Sequence, residues 1–445
     1  LKIVRTRKIT KNENRYGGFM KRILFIWVLL IPILLRALTI EGAVQLALDN
    51  NPGMQTATNT KEIAYSDYRS TKGILYPQID AIGAYQQTTN ELSDNASSQA
   101  GVDRTKETSL SGTIQASQIL FSSSVFLGLK AAKVYTDLQK QNLQLTKENV
   151  VYQTYSLFDT VLLAQEVLRV QQEALGIARE HYNQVNIMFG QELVSEYDLL
   201  RAELAVSELE PQVSEAEMNL QLALDSLRNH IGWKETELSI EGSIGELVPE
   251  NITLETAVTE GLENRKELQI VGLSKDMMEI NYKNESLYFL PSIQASAGYS
   301  HYAGSQSYSL GSDDVGDTYN WGIALKMPLF SGLSNHYQKR KAHYQFKNAV
   351  IEESSLRDNL KLEITSAHKT YNTSLEKLNS QLKNVNLAEK GLRIATTRYA
   401  NNLGTQLEVN DAQLTWKSVK LSYLNALYQV NINWLTLKKA MGRQL

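Results

Sequence analysis

Two stretches 210 positions apart, FGQELVSEYDLLRAE at 189–203 and YANNLGTQLEVNDAQ at 399–413, carry the same pattern, and the rest of the chain leads into or out of them. Phe189 pairs with Tyr399, Leu193 with Leu403, Ser195 with Thr405, Asp198 with Glu408, Leu199 with Val409 and Ala202 with Ala412. Each stretch holds a Gly and predicts a turn followed by a helix. Beyond the second turn, apolar residues recur at alternating steps of three and four: Val409, Ala412, Trp416, Val419, Tyr423, Ala426, Val430, Leu437, Ala440. The first copy keeps the same register from Leu199 to Leu227. A repeat of about 3.5 residues is a coiled-coil seam with left-handed supercoiling. An ordinary bundle helix would account for one copy but not for two in one register. A second line, Leu414, Leu421, Leu424, Tyr428 and Leu435, predicts packing on two sides of the later helix.

The duplication reaches further. Thr39, Glu41, Ala43, Val44, Leu48, Asn50 and Gln55 recur 214 positions on as Thr253, Glu255, Ala257, Val258, Leu262, Asn264 and Gln269. Pro77, Ile79, Ala81 and Tyr85 recur without a gap as Pro291, Ile293, Ala295 and Tyr299. A repeat of half the chain means a duplicated unit. Each unit opens with helical sequence, 39–75 and 253–289, with a break expected at Asn51-Pro52.

A Pro then ends the helix and the period changes to two. Ile293, Ala295, Ala297 and Tyr299 face one way, and Ser292, Gln294, Ser296, Gly298 and Ser300 the other. The runs from 109 to 117 and 319 to 327 alternate likewise, predicting strands of about ten residues with an apolar and a small polar face. A soluble sandwich strand would alternate in the same way, but the aromatic cluster Tyr299, Tyr302, Tyr308, Tyr319 and Trp321 near the strand ends favours a bilayer interface. The polar stretches 90–108 and 304–317 suit exposed loops. Long helical runs follow, 123 to about 187 and 333 to about 398, each a rod of about 100 Å.

Composition narrows the function. The chain has no cysteine, which excludes thiolate metal sites, catalytic thiols, disulfides and a lipidated N-terminal Cys. Residues 1–37 carry nine Lys+Arg against one acidic residue, so the body stands near −11 and a general nucleic-acid binder is unexpected. Met20-Lys21-Arg22 followed by ILFIWVLLIPILL reads as a signal peptide, hence export. Past residue 38 no window has the length of a transmembrane helix, so membrane residence requires strands. Four strands leave two open edges, which hydrocarbon does not tolerate. Closure needs other copies: two chains give eight strands, three give twelve.

The duplicated order, the segments Leu120-Phe121-Ser122 and Leu329-Phe330-Ser331, and the paired turns resemble the TolC-like outer-membrane efflux proteins over residues 38–445. The resemblance implies a mainly α chain with a transmembrane β-barrel. It implies a homotrimer whose twelve-stranded barrel, set in outer-membrane lipid, continues as a periplasmic α-helical coiled-coil barrel. The expected division is an extension and signal peptide over 1–37, repeats over 38–232 and 252–445, and an equatorial connector over 233–251. A periplasmic adaptor protein and an inner-membrane pump would dock at the turns, and substrates would leave unchanged.

The resemblance also assigns residues. The adaptor-contacting tips would be Gly190, Glu192, Leu193, Asn402, Leu403, Gly404 and Thr405. Family members place Gly three residues after the turn's aromatic; here Glu192 and Asn402 stand there, with Gly190 and Gly404 displaced. The gate candidates are Tyr399 and, in place of the family's Asp, Asn183; Gly404 holds the position of the family's Arg, so the latch would be weaker or built otherwise. Glu408 and Asp411 align with the entrance carboxylates, six negative charges in a trimer that would concentrate cations. A solvated acidic face at a helix start is the plainer alternative.

An enzyme is not expected, because the six His are scattered and no nucleophile or phosphate-loop motif is present; no cofactor or metal is expected either. His336 and His343, a heptad apart, read as a polar stripe. A soluble periplasmic coiled-coil adaptor is the other reading, but it leaves the strands unexplained. Pro211, without a counterpart at Leu421, is expected to kink or break its helix.

Overall fold

The computed structural model describes residues 38–92, 103–235, 237–244, 250–305, 314–401 and 403–445. The expected signal segment, Tyr308 and Asn402 lie outside them. Two short helices, α1 (Ile40–Asn50) and α2 (Pro52–Gly73), lead to strands β1 (Gln78–Leu92) and β2 (Asp103–Phe121). The rod α3 (Ser123–Gly190) and its return helix α4 (Glu196–Ile231) complete the first unit. The second repeats it as α5 (Leu254–Asn264), α6 (Lys266–Ser286), β3 (Ser292–Ser305), β4 (Asp314–Lys326), α7 (Ser334–Ala400) and α8 (Gln406–Ala440). No described helix is long and apolar enough to cross a membrane.

The break between α1 and α2 follows from Asn51, which is extended and accepts from Gly53 N at 2.8 Å, and from Pro52, whose missing N–H costs nothing at a helix start. The second unit breaks at Arg265 without a proline. Its guanidinium, 7% exposed, is held by Glu267 and Glu363, each at 2.9 Å. That break had no signal in a single sequence, because it depends on a carboxylate supplied by α7.

Packing forms two rows. Near the sheet the order is α2, α3, α6, α7; toward the hairpin ends it is α4, α3, α8, α7. The heptad line is buried where it was expected, at Val409, Trp416, Ala426, Val430, Leu437 and Ala440, and of the second line Leu424 and Leu435 are buried while Leu414 is exposed. The stretch 237–241 runs extended beside the start of α1, with Leu38 N donating to Ser239 O at 2.7 Å and Ile240 buried. Of the kink or break expected at Pro211, the break is absent: α4 continues through it as one helix. Ala202 and Ala216 anchor the helix on either side, and Pro211 itself is exposed, so the backbone groups it leaves unpaired meet water.

The α3–α8 seam carries a run of polar contacts. Tyr152 meets Thr436 at 3.1 Å and Thr160 meets Tyr428 at 3.2 Å. Between them Asp159 bonds to the buried Asn431, and burial pushes its carboxyl from 3.8 up to about 6. The unfolded chain releases this proton near 3.8 and the folded one near 6, so stability falls as pH rises through that interval. Asp159→Asn is expected to stabilise the fold by up to about 3 kcal/mol at neutral pH and by almost nothing near pH 3.8, measured as thermal unfolding at both.

The four strands form one antiparallel sheet in the order β1-β2-β3-β4. At 13 to 19 residues they exceed the expected ten. The ladder continues through Asn90↔Thr105 and Gly304↔Asp314, into stretches read as loops, because backbone pairing does not depend on side-chain polarity. The register puts Ile79, Ala116, Ala297 and Trp321 in one row and Ala81, Ile114, Tyr299 and Tyr319 in the next, so the apolar positions of all four strands share a face. The opposite face carries Ser111, Thr113, Gln115, Ser296, Ser300 and Asn320. Among the described residues, β1 and β4 have no pairing strand along their outer sides.

Candidate functional site

The hairpin ends of both units converge. Val185 of α3, Ala202 of α4, Ala395 and Tyr399 of α7 and Val409 of α8 form one buried cluster, with Met188, Val194 and Leu199 packed against it. All four helices therefore meet where the sequence repeats its turn motif.

The two turns are closed by the same bonds. Leu193 N donates to Met188 O at 2.9 Å, and Leu403 N donates to Arg398 O at 2.8 Å, each reaching back five residues as in a Schellman cap. The left-handed residue is Glu192, φ 60°, while neither Gly190 nor Gly404 has positive φ. The backbone thus keeps the geometry that glycine would favour and holds a glutamate in it. Glu192→Gly is expected to stabilise the turn by about 1 kcal/mol, visible as slower hydrogen exchange in residues 188–196. Ser195 and Asp198 form a capping box at the start of α4, and Thr405 caps α8 through Glu408 N. Gly190, Glu192, Leu193, Leu403 and Thr405 are exposed, and Gly404 is half-buried.

Tyr399 is buried, its ring edge-on to His181 at 5.0 Å. Its hydroxyl has no hydrogen-bond partner among the described residues, so it is not joined to Asn183, which is exposed. Beside it, a bond across the two hairpins is made by other residues: His181 Nε2 donates to Gln406 Oε1 at 2.6 Å, both side chains buried. Farther up, Lys417 donates to Gln212 at 2.8 Å and crosses from α8 to α4. Sequence reasoning passed over His181 and Gln406. The available signal was a histidine inside the buried line Ala174, Ala178, His181, Val185 of α3.

Burial holds His181 below the usual histidine range, against the opposing pull of Gln406. The unfolded or opened site binds a proton near 6.5 that the packed site resists, so the packing is fully stable above 6.5 and weakens as pH falls below it. Protection of residues 405–412 against hydrogen exchange, relative to the intrinsic rate at each pH, is expected to fall below pH 6.5, and His181→Phe is expected to abolish that fall.

Glu408 and Asp411 are exposed and one turn apart at the start of α8. Arg398, also missed, donates to Leu403 O at 2.9 Å and brings its Nε to 4.0 Å from Glu408. A basic group therefore stands beside the acidic pair although Gly404 holds the position where the family has Arg. His336 and His343 do not converge: His343 packs on Tyr282 at 5.1 Å. Among the described residues no three His, Asp or Glu side chains are grouped to hold a metal.

The chain matches the family model of the outer membrane efflux protein over residues 43–233 and 257–443. It is 24% identical to outer membrane protein TolC of Salmonella enteritidis over 399 residues, 88% of this chain and 79% of that one. To TolC of Escherichia coli K12 it is 22% identical over 401 residues, 88% and 80% of the two chains. Its fold superposes on the crystal structure of the CmeC outer membrane channel of Campylobacter jejuni with a TM-score of 0.77, at 17% identity, covering 91% of this chain and 85% of that one.

Proposed function

This chain belongs to the outer membrane efflux protein family, and from that premise we propose that it is the exit duct of a tripartite export system, conducting substrates passively from an inner-membrane pump and a periplasmic adaptor to the outside. It is an outer-membrane protein. The observation that carries the reading is the sheet: one continuous apolar face left bare, with Trp321 86% and Tyr319 76% exposed, bounded by two unpaired edges. In water that face would be a severe liability; in lipid it is the required surface.

Both edges are satisfied if β1 of one copy pairs with β4 of the next, a head-to-tail interface that closes as a ring. Three copies give twelve strands, and the four-helix rows beneath give twelve helices continuing the bore across the periplasm. The repeats 38–232 and 252–445 supply matching halves, and the described stretch 237–244 of the connector, which runs beside the start of α1, is assigned to the outside of the tube. The exposed tips at 190–193 and 403–405 are the docking points for the adaptor, and no chemical step is assigned to the chain. A soluble coiled-coil adaptor remains the second reading, opposed by the bare sheet.

Mass measurement of the detergent-extracted protein is expected to give three chains, with heat-modifiable migration on gels and ion conduction in planar bilayers. Release into the soluble periplasm, or a monomer in detergent, would overturn the proposal.

A further inference from the structure

One row on the apolar face of the sheet is not apolar. Along the register Gly83 of β1 stands beside Gly112 of β2, Gly112 beside His301 of β3, and His301 beside Asp317 of β4. The row below holds Ala81, Ile114, Tyr299 and Tyr319, and the row above holds Tyr85, Leu110, Ala303 and Val315. A histidine and an aspartate therefore interrupt a surface that suits lipid on both sides of them. The glycines make the other half of the row a hollow, since a Cβ on Gly83 or Gly112 would meet nothing within 4 Å. Depth follows from the ladder. Apolar positions of β4 run from Leu325 up to Val315, a height of about 25 Å in a strand tilted by about 40°. His301 and Asp317 lie one row below Val315, about 5 Å inside the upper margin of that band, at the end of the sheet away from the helices. Ionisable side chains facing hydrocarbon are costly, and where they occur they mark a function. These two are satisfied only in part. His301 Nδ1 donates to Asp317 Oδ1 at 2.7 Å, and the Tyr299 hydroxyl donates to the same oxygen at 2.8 Å. Among the described residues nothing bonds to Asp317 Oδ2 or His301 Nε2, and the side chains are 50% and 56% exposed.

We propose that this row is a lipid site, taking an acyl chain that bears a hydroxyl a few carbons from its carbonyl, the kind carried by glycolipids of an outer leaflet. The inference rests on the barrel reading above and names what its lipid-facing side recognises. Charge and depth select the ligand. With its Nδ1–H engaged by the aspartate, the imidazole presents Nε2, an acceptor in the neutral ring and a donor in the protonated one, while Asp317 Oδ2 only accepts. A hydroxyl both donates and accepts, so it serves either state. A phosphate is opposed by the carboxylate, and the ammonium of a phospholipid head stands outside the apolar band, above the dyad. A hydroxyl just beneath the acyl carbonyl lies at the level of the dyad. Gly83 and Gly112 then leave room for the chain, with Leu110 and Ile114 on either side of it.

The test offers the detergent-extracted trimer equal amounts of a phosphorylated disaccharide lipid with β-hydroxyacyl chains and of its analogue without the hydroxyls. Native mass spectrometry is expected to find the hydroxylated lipid retained about tenfold more, the effect of one hydrogen bond to a charged group. His301→Phe with Asp317→Leu is expected to leave the trimer intact and remove the preference, because both replacements suit lipid. Gly112→Leu fills the hollow while keeping the dyad, and is expected to remove the preference as well. Equal retention of the two lipids by the unaltered trimer, or a preference that survives in either variant, would overturn the site and leave the duct standing. A preference that disappears when the phosphates are removed from both lipids would assign the contact to a phosphate and also overturn the proposal. A monomer in detergent would remove the duct itself, and this site with it.

Discussion

Replacing Trp434 by alanine is expected to cost about 3–5 kcal/mol and to lower the temperature at which the assembled protein unfolds, because the indole is the largest fully buried side chain. It is 2% exposed, lies 5.1 Å from the ring of Tyr371, and belongs to the cluster of Ala257, Ile364, Val430, Leu437 and Met441. That cluster joins α5, α7 and α8, and its fit is tight enough that a Cβ on Gly261 would collide with Ile364. A cavity of indole size cannot be refilled where helices are already in close contact. Trp434→Phe keeps most of the buried area and is expected to cost about a third as much. Thermal unfolding followed by circular dichroism decides: a shift in Trp434→Ala no larger than in Trp434→Phe would show that this junction does not hold the second unit together.

The second large effect concerns permeation. Glu408→Ala with Asp411→Ala is expected to reduce the preference for cations over anions in planar bilayers about tenfold and to relieve block by divalent cations. In the proposed trimer the two residues would contribute six carboxylates at the start of α8, and the prediction requires that they ring a narrow entrance where field lines concentrate. Arg398, 4.0 Å from Glu408, screens part of that charge, so Arg398→Ala is expected to shift selectivity toward cations. An unchanged reversal potential in the double variant would reduce Glu408 and Asp411 to the solvated face of a helix start.

Much of the fold was legible because it rests on local periodicity. Alternation of two placed Ile293, Ala295, Ala297 and Tyr299 on one face, and the 3,4 steps from Val409 to Ala440 placed the buried line of α8. The candidate site was legible only in part. The duplicated turn marked the end where the two hairpins converge, and Tyr399, Glu408 and Asp411 all lie there. The bond across the hairpins was not readable, because His181 and Gln406 are 225 residues apart and each is unremarkable by itself. Arg398 likewise acquires a role only when α7 and α8 fold back on each other.

What the sequence determined alone was the set of elements and their two-sidedness: where polarity changes period, a chain must bury one face, and no neighbour is needed to see which. What only the tertiary structure decided was which faces remain uncovered and which distant polar groups meet. Glu192 takes a left-handed backbone because the turn closes around it, α4 runs through Pro211 because α3 holds it on both sides, and Asp159 stays buried because Asn431 faces it. Those outcomes depend on the competition among all nearby packing partners, and that competition exists only once the rods lie side by side.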